Sequence, residues 1–255
     1  MCRHLAYLGP PRSPEGPMFS APHSLLVQSY APADMRAGGT VNADGFGLGW
    51  FADDGEPVWY RRPAPLWTDE SLPRLSATVR SGSYLGAVRS GTPGMPVTEA
   101  ACAPFAGDGW LFSHNGVVRG WPDAVAGLAE KLPAADLLRL AAPTDSALLW
   151  ALLRDRLRSG ADPASAVAEL VTTVARAAPG SRLNLLLAGP DVLVATAWTH
   201  ALSWRGDADS VLIASEPPDD DPGWRPVPDG HLLVARRGTP CRVDLAAIDS
   251  DRSLA

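Results

Sequence analysis

Along this chain the hydrophobic period changes twice, from two residues to about 3.6 and back, and that order constrains the fold more than any other feature. Short apolar runs bounded by Gly or Pro predict strands at residues 3–8, 46–52, 58–62, 84–90 and 110–113. Helices near 24–30 and 72–79 interrupt them. Residues 145–157 then set Leu148, Leu149, Leu152, Leu153 and Leu157 along one helical face, with Asp145 at the end where a carboxylate is favoured. Residues 162–178 repeat the helical pattern behind Asp162-Pro163, a cap followed by proline at the first helical position. Strands return at 182–188, 192–198, 201–205, 211–214, 231–236 and 241–244, while the Pro- and Asp-rich stretch 215–230 reads as a surface loop. Strands, helices, then strands again predict an α+β fold: two stacked, mainly antiparallel sheets with helices outside them.

At 255 residues the chain is long enough for one large domain with a full core. No apolar run approaches the roughly 20 residues that span a membrane. The apolar stretch after Arg3 and His4 is cut short at Pro10-Pro11, unlike a secretory signal. A cytoplasmic protein without a membrane partner is expected. A formal charge of −6 with no basic cluster argues against nucleic acid as a partner. Three cysteines, Cys2, Cys102 and Cys241, are too few and too widely spaced for a disulfide framework or a CxxC pair.

Cys2 follows the initiator methionine and is small enough to be exposed when Met1 is removed. It would then carry a thiol and a free α-amine on one residue. The amine titrates near ~7.8 and the thiol near ~8.5, so the amine can take the thiol proton and later return one to a leaving nitrogen. By position alone, a terminal cysteine is more simply an inert one. His114-Asn115-Gly116 closes the strand at 110–113, and an Asn amide beside a glycine N–H can offer two donors to one oxyanion. Taken alone, Asn-Gly is the sequence of a hairpin turn. Arg89, at a strand end, suits bidentate capture of a carboxylate, and Asp145 could meet an ammonium or simply begin a helix. A Cys2-x-His4 pair lacks the ligand spacing of a structural zinc site, so no metal or other cofactor is expected. His114 reads as support for the Asn-Gly segment, His4 as a site or core residue, and His23, His200 and His231 show no partner pattern. Cys102 and Cys241 read as small buried hydrophobes.

Together and in this order, Cys2, Asn42-Ala-Asp-Gly-Phe-Gly-Leu-Gly-Trp50, Arg89 with Thr92, His114-Asn115-Gly116 and Thr144-Asp145 resemble the class II glutamine amidotransferases. Ala214-Ser215-Glu216-Pro217 is a fainter late echo. The resemblance implies an N-terminal nucleophile hydrolase with an αββα four-layer sandwich, as one domain over residues 2–255. It implies that Cys2 is the nucleophile and that Asn115 and the Gly116 N–H form the oxyanion hole. Arg89, helped by Thr92, would take the α-carboxylate of a γ-glutamyl group and Asp145 its α-ammonium, with Asp44, Gly45 and His114 shaping the pocket. The chain departs from many members at Arg89-Ser-Gly-Thr-Pro-Gly94, where they carry a Trp and a second His. The glutaminase-like fold would account for the whole length, leaving no second domain to use released ammonia. The opening Met-Cys-Arg-His-Leu-Ala-Tyr-Leu-Gly narrows the resemblance to hydrolases of the family that remove glutamate from γ-glutamyl-hercynylcysteine sulfoxide. A glutaminase subunit feeding a partner synthase is the alternative, and a non-enzymatic module is disfavoured by the intact residue set. The expected partner is a small γ-glutamyl substrate, and a homo-oligomer is allowed.

Overall fold

Strand β1 (Arg3–Arg12) shows how the alternation is used, because Leu5 and Tyr7 enter one buried cluster while Ala6 and Leu8 enter another. The computed structural model describes residues 2–35, 41–238 and 240–249, and Met1, whose removal is expected above, lies outside them. After β1 come α1 (Leu25–Tyr30), β2 (Gly45–Phe51), β3 (Pro57–Arg62), α2 (Leu72–Thr78), β4 (Ser81–Arg89), β5 (Phe105–Gly107) and β6 (Trp110–Val117). Two short helices, α3 (Ala126–Ala129) and α4 (Ala134–Leu138), lead to the long pair α5 (Asp145–Arg158) and α6 (Pro163–Ala177). The chain finishes in strands: β7 (Arg182–Ala188), β8 (Val192–Ala197), β9 (Ser203–Gly206), β10 (Val211–Ala214), β11 (Arg225–Pro226), β12 (His231–Arg236) and β13 (Arg242–Ala247).

The strands form a seven-stranded sheet, β11-β9-β10-β1-β4-β2-β3, and a six-stranded sheet, β13-β12-β8-β7-β6-β5. Every paired neighbour is antiparallel. Three buried clusters stack across them. Leu5, Leu25, Leu48, Leu72 and Tyr84 fill the space between the first sheet and its helices. Leu8, Leu85, Leu111, Leu186 and Ile213 fill the space between the sheets. Phe112, Leu149, Leu153, Val171 and Leu185 fill the space between the second sheet and α5 and α6. The result is the αββα sandwich expected, each fully buried Leu contributing about 1.5–3 kcal/mol.

Helix starts are fixed by short polar side chains. Thr144 Oγ1 accepts the Ala147 N–H at 3.2 Å to cap α5, and Asp162 accepts the Ser165 N–H at 3.0 Å to cap α6. Two expectations need correction. The strand placed at 110–113 runs on through Val117, so Asn115-Gly116 is strand and not a turn. The stretch 215–230 is not all surface loop: Ser215 and Glu216 are buried, and Arg225–Pro226 pairs with β9. The reason is local. These two polar residues leave β10 inward, toward partners a hundred or more residues away in the sequence.

Candidate active site

Strand register brings Cys2 and Arg89 together. β1 and β4 pair with Arg3 opposite Val88, so the residue before β1 falls beside Arg89. On the other edge of β4, Gly45 of β2 stands opposite Arg89. Cys2 is half-buried, its Sγ 3.8 Å from the Ser90 carbonyl oxygen. It opens onto a cleft lined also by Phe46, Arg89, Phe105, Ser113, His114 and Ser146.

β6 supplies the opposite wall. Asp108 and Gly109, with φ of +51° and +78°, form the two-residue turn between β5 and β6, closed by the pair Gly107 and Trp110. Such a turn closes on a hydrogen-bonded pair, and antiparallel bonding alternates from there. Even-numbered residues of β6 therefore direct their N–H groups away from β7. β5 ends opposite Phe112, so the Gly116 N–H faces an edge that β5 does not cover. Two residues on, the Val118 N–H on that same edge donates to Asp145 Oδ2 at 2.9 Å. Side chains sort the same way. Ser113 and Asn115 face the first sheet, where Ser113 Oγ lies 3.1 Å from His4 Nδ1 and Asn115 Nδ2 donates to Ser215 Oγ at 3.4 Å. A Cβ on Gly116 would collide with the Arg182 carbonyl across the ladder, so only glycine fits there.

His114 faces α5 and braces this wall. Its Nε2 lies 2.9 Å from the Arg182 carbonyl, which can only accept, so Nε2 carries the proton and Nδ1 faces the Ser146 hydroxyl at 3.0 Å. Asp145 is buried, and its Oδ1 accepts the Ser146 N–H at 2.7 Å. The structure thus sets the Asp145 carboxylate beside the Gly116 edge, with the Val118 N–H on Oδ2 and the Ser146 N–H and hydroxyl at Oδ1. Asp44 supports Arg89 from below: its Oδ2 accepts the Gly91 N–H at 2.8 Å, and its N–H donates to the Arg89 carbonyl at 3.0 Å. Gly45 adopts φ +145° where a Cβ would strike Cys102 Sγ. Thr92 is exposed, and its carbonyl accepts the Met95 N–H at 3.0 Å in the turn after β4; it does not line the cleft.

Sequence reasoning missed the layer behind these residues. Arg3, 3% exposed, donates from Nε to Glu216 Oε1 at 2.7 Å, from Nη1 to the Cys2 carbonyl at 3.0 Å and from Nη2 to the Asp34 carbonyl. His23, for which no partner was expected, lies with Nε2 2.6 Å from Glu216 Oε2. Burial pushes the Glu216 carboxyl upward, but the bonds from His23 and Ala33 and the Arg3 charge hold it below its usual value. His4 is wholly buried, and burial, with His114 and Arg3 nearby, lowers its pKa to about 3. His200 is lowered to about 3 by burial and by Arg182 and Arg3. Strand parity was the signal available for His4, two positions from Cys2. Among the described residues no group of three or more His, Cys, Asp or Glu could hold a metal ion, and no helix is long and apolar enough to cross a membrane.

The family model for class-II glutamine amidotransferases matches residues 18–207. The chain belongs to that family. Among curated proteins, this amidotransferase-family chain is 42% identical to the gamma-glutamyl-hercynylcysteine sulfoxide hydrolase of Mycolicibacterium smegmatis, over 92% of this chain and 96% of that one. It is 41% identical to the protein of the same name from Mycobacterium tuberculosis, over 98% and 97%. Among solved structures, a glutamine aminotransferase class-II domain protein from Silicibacter pomeroyi superposes with a TM-score of 0.68 at 23% identity, covering 97% of this chain and 100% of that one. That likeness bears on the fold, and it agrees with the sandwich described above.

Proposed function

We propose that this class II amidotransferase-fold chain hydrolyses the γ-glutamyl amide of γ-glutamyl-hercynylcysteine sulfoxide, giving glutamate and hercynylcysteine sulfoxide. The observation that carries the reading is near full-length identity of 42% and 41% to two proteins of that printed name. Cys2 and Arg89 line the cleft from neighbouring strands, and Asn115-Gly116 follows Ser113 and His114, the β6 residues that line it.

The chemistry follows from these positions once Met1 is cleaved from Cys2. The α-amine takes the thiol proton, and Sγ attacks the γ-carbonyl carbon. The carbonyl oxygen becomes an oxyanion held by an Asn115 Nδ2–H and the Gly116 N–H. As the C–N bond breaks, the protonated amine gives its proton to the leaving nitrogen, leaving a glutamyl thioester on Cys2. Water then adds with the amine as base, the C–S bond breaks, and glutamate departs. Arg89 holds the glutamyl α-carboxylate, and Asp145, beside the Gly116 edge, faces the α-ammonium. Thr92, outside the cleft lining, contributes through the turn that follows Arg89.

The test compares γ-glutamyl-hercynylcysteine sulfoxide with free glutamine as substrates, using protein whose Met1 content is fixed by intact mass. Expected is release of glutamate from the sulfoxide by protein lacking Met1, and loss of it in Cys2→Ala. Full activity in Cys2→Ala, or in protein retaining Met1, sinks the mechanism. Turnover of glutamine only with a second protein added would instead make the chain a glutaminase subunit.

A further inference from the structure

The nucleophile and the oxyanion donor belong to different sheets, β1 in one and β6 in the other. A shift between the sheets of a fraction of an ångström would separate them, and misplacement of about 1 Å can cost on the order of 100-fold in rate. Two side-chain contacts cross between the sheets here: His4 Nδ1 lies 3.1 Å from Ser113 Oγ, and Ser215 reaches Asn115. Ser215 continues β10 and pairs with His4: its N–H donates to the His4 carbonyl at 2.9 Å, and its Oγ accepts the His4 N–H at 3.0 Å. The same Oγ takes the Asn115 Nδ2–H at 3.4 Å from the other sheet. Next to it, Glu216 grips Arg3 at 2.7 Å, and Arg3 donates to the Cys2 carbonyl at 3.0 Å. Glu216 is fixed in turn by His23 at 2.6 Å and by the Ala33 N–H at 2.8 Å. Five of these groups are nearly inaccessible: Arg3, His4, Asn115, Ser215 and Glu216 are each 4% exposed or less.

We propose that Ser215 bridges the two sheets and that Glu216, fixing Arg3 within the first of them, completes the support that positions the Cys2 nucleophile against the Asn115 oxyanion donor. They are positioning residues: Ser215 acts through Asn115 and Glu216 through Arg3. The bridge rests on the hydrolase reading above, because its effect is on the turnover of a γ-glutamyl amide. A charged pair this deep is weak as a source of stability and strong as a source of geometry, since removing one partner strands the other. The Ser215 hydroxyl accepts one Nδ2–H of Asn115 and leaves the second for the substrate oxygen.

The experiment measures kcat and KM for the sulfoxide substrate in Ser215→Ala, Glu216→Gln and the double variant R3Q/E216Q, which leaves no unpaired buried charge. All are compared with the unsubstituted protein below their unfolding temperatures, as judged by circular dichroism. Expected is a fall in kcat of about 10-fold to 100-fold with KM within about twofold, because the glutamate clamp at Arg89 is untouched. Ser215→Thr, which keeps the hydroxyl, restores most of the loss. Unsubstituted protein that turns over substrate while folded Ser215→Ala and R3Q/E216Q keep its kcat overturns the bridge alone. Unsubstituted protein that cleaves no γ-glutamyl amide overturns the hydrolase reading and the bridge with it.

Discussion

Asn115 has two N–H bonds on its amide nitrogen, and one of them is committed to Ser215 Oγ at 3.4 Å. On the mechanism proposed above, the other would meet the substrate oxygen beside a Gly116 N–H that the β6–β7 ladder leaves unused. Two donors preorganised in this way cost no rearrangement when negative charge develops, which makes them worth more in the transition state than in the ground state. Asn115→Ala removes one of the two. The expected result is a fall in kcat of roughly 100-fold to 1000-fold with KM changed by less than about threefold, measured on the γ-glutamyl substrate. A variant with unaltered kcat would remove Asn115 from the oxyanion role. At this scale the sequence was already informative: Cys2, Arg89, Asn115, Gly116 and Asp145 could be named by residue type, order and resemblance. Arg3 and His23 could not, and Glu216 stood in the faint Ala214–Pro217 echo without its partners, because nothing local marks pairs separated by 213 or 193 positions. The Thr92 region was expected to help Arg89; the Thr92 side chain is exposed in the turn after β4, outside the cleft lining, and Asp44, Asn115 and Asp145 lie outside that lining too.

β6 and the start of α5 carry the site as elements. Because Asn115-Gly116 reads locally as a turn, its extension as strand was hidden; pairing with β7 overrides local turn chemistry when both faces of a strand can be buried. The long apolar runs of β7 and β12 and the periodic helices α5 and α6 were legible, since burial on two faces or one stripe leaves a strong pattern. The three-residue β5 and the short helices α3 and α4 were not, because so few residues hold no period. β6 also yields a sharp test. Gly116→Ala sets a methyl against the Arg182 carbonyl, with no flexible side chain to give way. The strand must move from β7 and take the Asn115 amide with it. Loss of about 1–3 kcal/mol of stability is expected in chemical denaturation, together with loss of hydrolysis in the protein that remains folded. Unfolding and activity both unchanged would mean that the two strands are not held as closely as described.

At the centre of the sandwich the two sheets meet through aliphatic side chains, chiefly Leu and Ala, with histidine on the seam. His4 lies between the sheets against Ser113, and His200 packs near Arg3 and Arg182; both are held neutral, with pKa values lowered to about 3. In the unfolded chain a histidine titrates near ~6.5. Between those values the unfolded chain binds more protons than the folded one, so stability falls as pH falls through that window. Glu216 adds to it in the same direction. Its folded pKa is depressed, so its contribution is present above the unfolded value and is lost as pH drops through the folded one. With both histidines neutral in the fold and charged in the unfolded chain, the slope approaches about 2.7 kcal/mol per pH unit. Denaturant midpoints measured across the range are therefore expected to be level above about pH 7.5 and to fall steeply below about 6.5. Substituting His200 by Phe removes one of the two protons and should roughly halve the steepness just below pH 6.5. A flat stability curve down to about pH 4.5 would show that these histidines are already charged in the fold, and that the seam is wetter than its burial implies.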